Sequence, residues 1–337
     1  MGVNRVNTWT FQNDIYVQAT GTVVGPLESQ GPIGDAFDES LDDLHDNKKS
    51  WEEAERTMME KAIAHCLRKD ETSMKEVNVF LTGDLINQNV IGSYTARDLN
   101  VPTLGIFGAC STSVEGISIG AALVDGGFVS NALTAVSSHN ATAERQYRYP
   151  TEYGSQKPSS ATFTVTGSGA LFLSRQKSDL RIESSTIGRV VDFDRSDPWD
   201  LGSAMAPAAA DTIKTHLEDK GRSPEYYDLI VTGDLSSVGT PLVRELLKED
   251  GIDITENHRD CGLWIYSKDQ PVFSGGSGCA CSAVVTYGHI FEQMMSGVYE
   301  RVLLVATGAL MNPLMIQQKE SIPSVAHAVA FERVKHE

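Results

Sequence analysis

Positive charge is scarce in this 337-residue chain: 28 Lys and Arg stand against 45 Asp and Glu, a formal net charge of −17. Phosphate would be repelled, which argues against nucleic acid as a partner. An anionic bilayer surface would be repelled too, so membrane association has to run through a protein partner or a local basic patch. Long apolar runs are missing as well, and no stretch approaches the ~18 residues of a spanning helix. The start, Met1-Gly2-Val3-Asn4-Arg5-Val6, has no apolar run behind it to make a signal peptide. Position six is not the Ser or Thr of a myristoylation signal. Cysteine is sparse and does not pair off: Cys66, Cys110, Cys261, Cys279 and Cys281 are odd in number and irregularly spaced. They read as reduced intracellular thiols. Cys279-Ala280-Cys281 lacks the second ligand pair of a structural zinc, and His289 lies down the same helix pointing elsewhere, so no metal is expected. Gly275-Gly276-Ser277-Gly278 lacks the Gly-Lys-Ser/Thr of a phosphate loop and reads as a tight turn where two backbones approach. Thr166-Gly167-Ser168-Gly169-Ala170, inside the apolar run Phe163 to Leu173, reads as a strand kink. No cofactor is expected.

What the chain does have is a core-forming composition and a repeat. At 41% hydrophobic and 22% charged residues it is ordinary globular material, long enough for one large domain or two coupled ones. Thr82-Gly83-Asp84-Leu85 recurs as Thr232-Gly233-Asp234-Leu235, each after an apolar strand-like run (Val77 to Leu81; Asp228 to Val231). An amphipathic helix precedes each copy: Trp51 to Leu67, with a capping-box start at Ser50 and Glu53, and Ala204 to Leu217. A second helix and strand follow, then a cysteine opening a small-residue helix: Cys110 to Val124, and Cys281 to Met295. Cys110 and Cys281, Gly126 and Gly297, and Ala135 and Ala306 share one offset of 171 residues. Alternating strands and helices imply mostly parallel sheet with helices packed on it, an α/β fold written twice, in halves 1–175 and 176–337. A site belongs at their interface, where turns after strands converge. The acidic run Gln30 to Lys49 reads as a surface excursion of the first half.

Cys110 is the chemically pointed residue. Gly108-Ala109-Cys110-Ser111-Thr112 follows the β-like run Thr103 to Phe107, which puts the thiol at a strand-to-helix turn. There the helix N-terminus favours a thiolate or a bound anion. The plain alternative is a small buried thiol. Ser137-Ser138-His139-Asn140 ends a first-half strand, and Glu144-Arg145-Gln146-Tyr147-Arg148-Tyr149-Pro150 follows. Arg and aromatics so placed bind an anionic aromatic by charge and stacking, or form a solvated loop that meets a partner. His139 by itself is more often a hydrogen-bonded structural residue than a base.

This pattern resembles the thiolase-like superfamily of thiolases and ketoacyl synthases. The resemblance implies a duplicated five-layer α-β-α-β-α fold with Cys110 at the nucleophile position and Thr166 to Ala170 as the glycine-rich strand. Those enzymes also need His, or His with Asn, from the second half. Here the two positions carry Gly233 and Ser277, to within a residue, and no second cysteine stands near Gly308-Ala309-Leu310-Met311. A positioned base contributes ~10²–10⁴-fold and an oxyanion donor ~10²–10³ more, so condensation chemistry is not expected. Phe107 to Ser113, Ser138 to Gly154 and Ser274 to Cys281 resemble the stage V sporulation protein AD family of spore-forming bacilli. That resemblance implies binding of dipicolinic acid (pyridine-2,6-dicarboxylate) and its movement into the developing spore. It also implies association with membrane proteins of the same sporulation operon at the spore inner membrane, and a weakly held homodimer through the first-half sheet edge. Cys110 and its neighbouring amides make the expected floor for a carboxylate. Asp84, Ser137, His139, Gly233, Asp234 and Ser277 are expected around it. A dianion is disfavoured near this net charge, so the calcium chelate, with Asp84 or Asp234 as oxygen ligands, is expected to bind at least as well; otherwise Arg145, Arg148 or Lys157 turns inward. The alternatives are an acyltransferase that uses Cys110 with His139, His258 or Asp234 as base, and a scaffold with a vestigial pocket.

Overall fold

The computed structural model describes residues 7–147 and 157–335. In the first half five strands, Thr8–Val24, Phe80–Asp84, Thr103–Gly105, Asn131–Ser138 and Gly167–Ser174, lie in the spatial order third, second, fourth, fifth, first. Leu180–Ile187, Leu229–Thr232, His258–Asp260, Arg301–Ala309 and Ser324–Arg333 repeat that order from the opposite edge. The first strand of each half meets the other in antiparallel register, with Ile15 opposite Ile182 and Thr8 opposite Thr186, so the ten strands form one continuous sheet.

Helices complete the layers. Trp51–Lys69 packs on the first-half strands and Leu201–Lys220 on the second-half strands. Thr112–Asp125 lies between, touching strands of both halves, with the helical segment 279–295 beside it. The central layer has an apolar core, with Ile117, Ala121, Val284 and Phe331 fully buried and the rings of Phe291 and Phe331 edge to face at 4.9 Å, and one buried polar tie between its helices, Ser113 to Ser282 at 2.7 Å. A second cluster around Met58, Ile63 and Phe80 lies under Trp51–Lys69, and a third around Met205, Ile213 and Leu303 under Leu201–Lys220. The arrangement is the five-layer α-β-α-β-α fold.

Local chemistry explains the boundaries. Ser50 caps Trp51–Lys69 by accepting from the Glu53 amide at 3.2 Å, while Glu52 and Glu53 at its start and Arg68 and Lys69 at its end complement the helix dipole. The Glu53 carboxylate closes on the amide of Lys49 rather than that of Ser50, so the expected capping box is half made. The run 163–173 does not kink within one strand. It divides into Phe163–Thr164, which leaves the main sheet to pair with Gly276–Ser277, and Gly167–Ser174 inside the main sheet. The acidic excursion is tethered: Glu39–Ser40 runs beside the end of Thr8–Val24, and Leu41 is buried.

Candidate functional site

Cys110 sits in a single 3₁₀ turn, Ala109–Ser111, that opens into Thr112–Asp125. Ala109 holds φ +52°, a left-handed conformation uncommon without glycine. Three bonds hold the turn: the Thr112 hydroxyl donates to the Ala109 carbonyl (2.6 Å), the Ser111 hydroxyl to the Gly108 carbonyl (2.7 Å), and the Gly108 amide to Thr112 Oγ1 (3.0 Å). The second half leans directly on it. A Cβ on Gly308 would lie 2.1 Å from the Gly108 carbonyl oxygen, so only glycine lets the strand Arg301–Ala309 come this close.

Opposite stands the turn 275–278. The Phe163 amide donates to the Gly275 carbonyl and the Val165 amide to the Ser277 carbonyl, both at 2.8 Å, so a first-half segment and a second-half segment form one short parallel pair. Gly278 turns the chain at φ +106° into the helical segment 279–295. Ser277 Oγ lies 3.9 Å from Cys110 Sγ and donates to Asp234 Oδ2 at 2.8 Å. Asp234 also accepts from the Gly278 amide (3.1 Å) and, on Oδ1, from the Thr307 hydroxyl (2.5 Å).

The electrostatics favour neutral groups. Burial pushes the Cys110 thiol well above its usual range, and the Asp234 carboxyl beside it adds to the effect. A thiolate favoured by the helix terminus is therefore not what the structure gives: the α-helix begins only at Thr112, and a dipole worth about 0.3–1 kcal/mol does not offset full burial. Asp234 is itself raised by burial, against the hydrogen bonds it accepts.

Cys110 lines a pocket of about 470 Å³, the open space at its mouth included. Ala109, Ser277, Thr162, Thr164 and Tyr147 line it with Cys110, and Leu85, Ala143, Leu201, Ala309 and Met311 form its apolar walls. The Tyr147 hydroxyl donates to the Leu85 carbonyl.

Of the residues expected around Cys110, Ser277 lines the pocket and Asp234 stands just behind it. The others serve the frame. Asp84 accepts from the amides of Ile86 (2.8 Å) and Gly92 (2.9 Å), holding the helix Val90–Leu99 rather than offering oxygen to an ion, and burial raises its carboxyl to about 6. Ser137 donates to Glu55 at 3.0 Å, away from the pocket. His139 accepts from the Ala141 amide on Nδ1 (3.1 Å) and so donates from Nε2 to the Leu44 carbonyl (2.9 Å); burial lowers its pKa, and it ties down the acidic excursion. Gly233 turns its Cα toward Ala306 and Ser282, and its carbonyl accepts from the Cys281 thiol at 3.3 Å. His258 is held between Thr232 (3.0 Å) and Arg244 (3.1 Å), with burial pushing it down to about 3. Arg145 pairs with Glu52, and Lys157 with Glu144 at 2.9 Å, so neither turns into the pocket. Arg148 and the stretch to Gly154 lie outside the described residues. Among the described residues no cluster of three His, Cys, Asp or Glu could hold a metal. Sequence reasoning missed Thr162, Thr164, Leu201 and Met311; the i, i+2 spacing of the two threonines in a β-like run was the one available signal.

Residues 5–332 match the family model described as Stage V sporulation protein AD (SpoVAD). This chain belongs to the stage V sporulation protein AD family. It is 58% identical over 333 residues to the stage V sporulation protein AD of Bacillus subtilis (strain 168), covering 99% of this chain and 98% of that one. Its fold is shared with condensing enzymes and thiolases. A 3-oxoacyl-[acyl-carrier-protein] synthase III from Aquifex aeolicus VF5 matches with a TM-score of 0.59 at 14% identity, over 94% of this chain and 99% of that chain. Human mitochondrial 3-ketoacyl-CoA thiolase in complex with CoA matches with a TM-score of 0.61 at 13% identity, over 97% of this chain and 99% of that chain. At such identities the likeness concerns fold alone. The SpoVAD-family pocket therefore occupies a thiolase-like frame, with Ser277 3.9 Å from its cysteine and Asp234 behind the serine.

Proposed function

We propose that this protein is a non-catalytic, thiolase-like binding protein whose Cys110 pocket takes dipicolinic acid and so supports its uptake into the developing spore. The observation that carries this reading is a pocket floored by a neutral thiol and a hydroxyl–carboxyl pair, with no imidazole among the described residues that line it. Apolar walls suit a flat pyridine ring, and the hydroxyls of Ser277, Thr162 and Thr164 suit its carboxylates. The described lining carries no Lys or Arg. A neutral species such as the calcium chelate therefore enters at lower desolvation cost than the free dianion. Acyl transfer would need a base: His139 and His258 are bonded elsewhere, and Asp234, beside the thiol, already accepts from Ser277, the Gly278 amide and Thr307.

Calorimetric titration with dipicolinate, with and without calcium at matched ionic strength, tests the reading beside a Cys110→Trp variant that fills the pocket. Saturable binding by the wild type that the variant loses is expected. A wild type that does not bind sinks the proposal, as would transfer of an acyl group from coenzyme A to Cys110. Affinity no better with calcium would sink the chelate alone.

No helix of the described residues is long and apolar enough to cross a membrane. In the proposed role the protein reaches the spore inner membrane through membrane proteins of its operon. It also pairs as a homodimer along the free edge Thr103–Gly105, where Leu104 (46% exposed) and Phe107 (47%) leave apolar surface beside unpaired backbone. Sedimentation should show a dimer that Leu104→Lys splits; a monomeric wild type at micromolar concentration would exclude this interface.

A further inference from the structure

Thr162 and Thr164 are among the most buried polar residues of the pocket, 2% and 7% exposed. Neither hydroxyl has a hydrogen-bond partner among the described residues, although both residues line the cavity. The other hydroxyls there are engaged: Ser277 donates to Asp234, and Tyr147 to the Leu85 carbonyl. With no partner inside the chain, both hydroxyls are left for whatever fills the cavity, water in the free protein and a polar ligand in the bound one.

Strand geometry explains the placement. Successive side chains of Phe163–Thr164 alternate, so Thr162 and Thr164 share a face while Phe163 takes the other, its ring edge to face with Tyr266 at 5.9 Å. The amides on either side of Thr164, those of Phe163 and Val165, are both bonded across to the Gly275–Ser277 segment at 2.8 Å, which fixes the segment against the second half. The backbone that carries the two threonines is thereby fixed on the pocket wall.

We propose that Thr162 and Thr164 form a two-hydroxyl edge that reads one carboxylate of the bound pyridine dicarboxylate. This rests on the binding role proposed above and assigns that role's polar contact. In a calcium chelate each carboxylate keeps an outer oxygen free to accept, so the same edge serves the free acid and the chelate. Hydroxyls in place of Lys or Arg let the pocket hold a carboxylate that another group has already neutralised, without adding a fixed charge.

The test is a titration of the whole protein with dipicolinate, in the calcium condition where the wild type binds tightest, across Thr→Val and Thr→Ser variants at both positions. Valine keeps the branched shape and removes the hydroxyl; serine keeps the hydroxyl and removes a methyl. Each valine substitution is expected to weaken binding about tenfold or more. Thr162→Ser and Thr164→Ser should bind within a few-fold of wild type. Because valine deletes a hydroxyl that has no partner inside the chain, Thr164→Val should melt at or above the wild-type temperature, which separates lost binding from lost folding. Valine variants that bind like a binding-competent wild type overturn this inference alone, as does the reverse pattern, with serine harmful and valine harmless. A wild type that shows no saturable binding overturns the role of the pocket, and the threonine edge with it.

Discussion

Gly308→Ala is the most informative single-atom perturbation of the site. The added methyl would sit 2.1 Å from the Gly108 carbonyl oxygen and 3.2 Å from the Ser111 amide, where real Cβ contacts essentially never fall below 3.0 Å. The shortfall of about 0.9 Å falls on backbone, not on a side chain that can swing aside. The strand must retreat from the Cys110 turn, or the turn must move. Forced overpacking of this kind costs about 1–3 kcal/mol. The turn has little freedom to yield, being held by the Thr112 and Ser111 hydroxyls and strained at Ala109. Relaxation therefore falls on the strand Arg301–Ala309, and it shifts Ala309 and Met311, which line the pocket, away from Cys110. Two readouts follow: a melting temperature lower by a few degrees, and weaker dipicolinate binding. The control is Gly251→Ala, whose Cβ meets nothing within 4 Å and whose only strain is its φ of +77°; it should lose stability modestly and keep binding intact. A Gly308→Ala protein as stable and as competent as wild type would refute the claim that the two halves clasp the site at this point.

The state of Cys110 is open to direct test. Its thiol, raised by burial and by Asp234, should alkylate with iodoacetamide at pH 7.5 far more slowly than free cysteine, by mass spectrometry of the native protein; rapid labelling there would disprove a neutral thiol. The buried carboxyl of Glu55, which accepts from Ser137 and Thr142, is raised to about 8 by burial first and then by Asp84. The native state keeps this proton while the unfolded chain loses it near pH 4.5, so the group's contribution to stability is complete below pH 4.5 and is lost as pH rises through about 8. Glu55→Gln cannot lose that contribution. Its deficit against wild type in urea unfolding should shrink from pH 5 to pH 9, and a deficit constant across that range would contradict the assignment.

The frame was legible in the sequence where the repeat and hydrophobic periodicity agreed. The helix expected at Trp51–Leu67 is observed as Trp51–Lys69, and the helix expected at Ala204–Leu217 as Leu201–Lys220. These depend on local spacing that any core imposes. The pocket was less legible because facing is set by side-chain direction. Asp84 and Asp234 occupy the same place in the repeat, yet one bonds the amides of a helix and the other lies beside a thiol. Ser137 and His139 end a strand that points at the site, but one residue of register decides which face each occupies. The threonine pair was hidden by a break in the run 163–173 that periodicity does not reveal, because Phe163–Thr164 pairs with a segment more than a hundred residues away.

The duplicated frame has one further consequence. Cys110 and Cys281 occupy matching places in the repeat, but Cys281 lies inside its helical segment and donates to the Gly233 carbonyl in the core, while Cys110 precedes its helix and faces a cavity. A molecule built twice carries its own control: a substitution at a position both copies employ alike reports on architecture, and the same substitution where they part company reports on ligand. Paired mutations at 110 and 281, or at 84 and 234, would separate the two contributions within a single polypeptide.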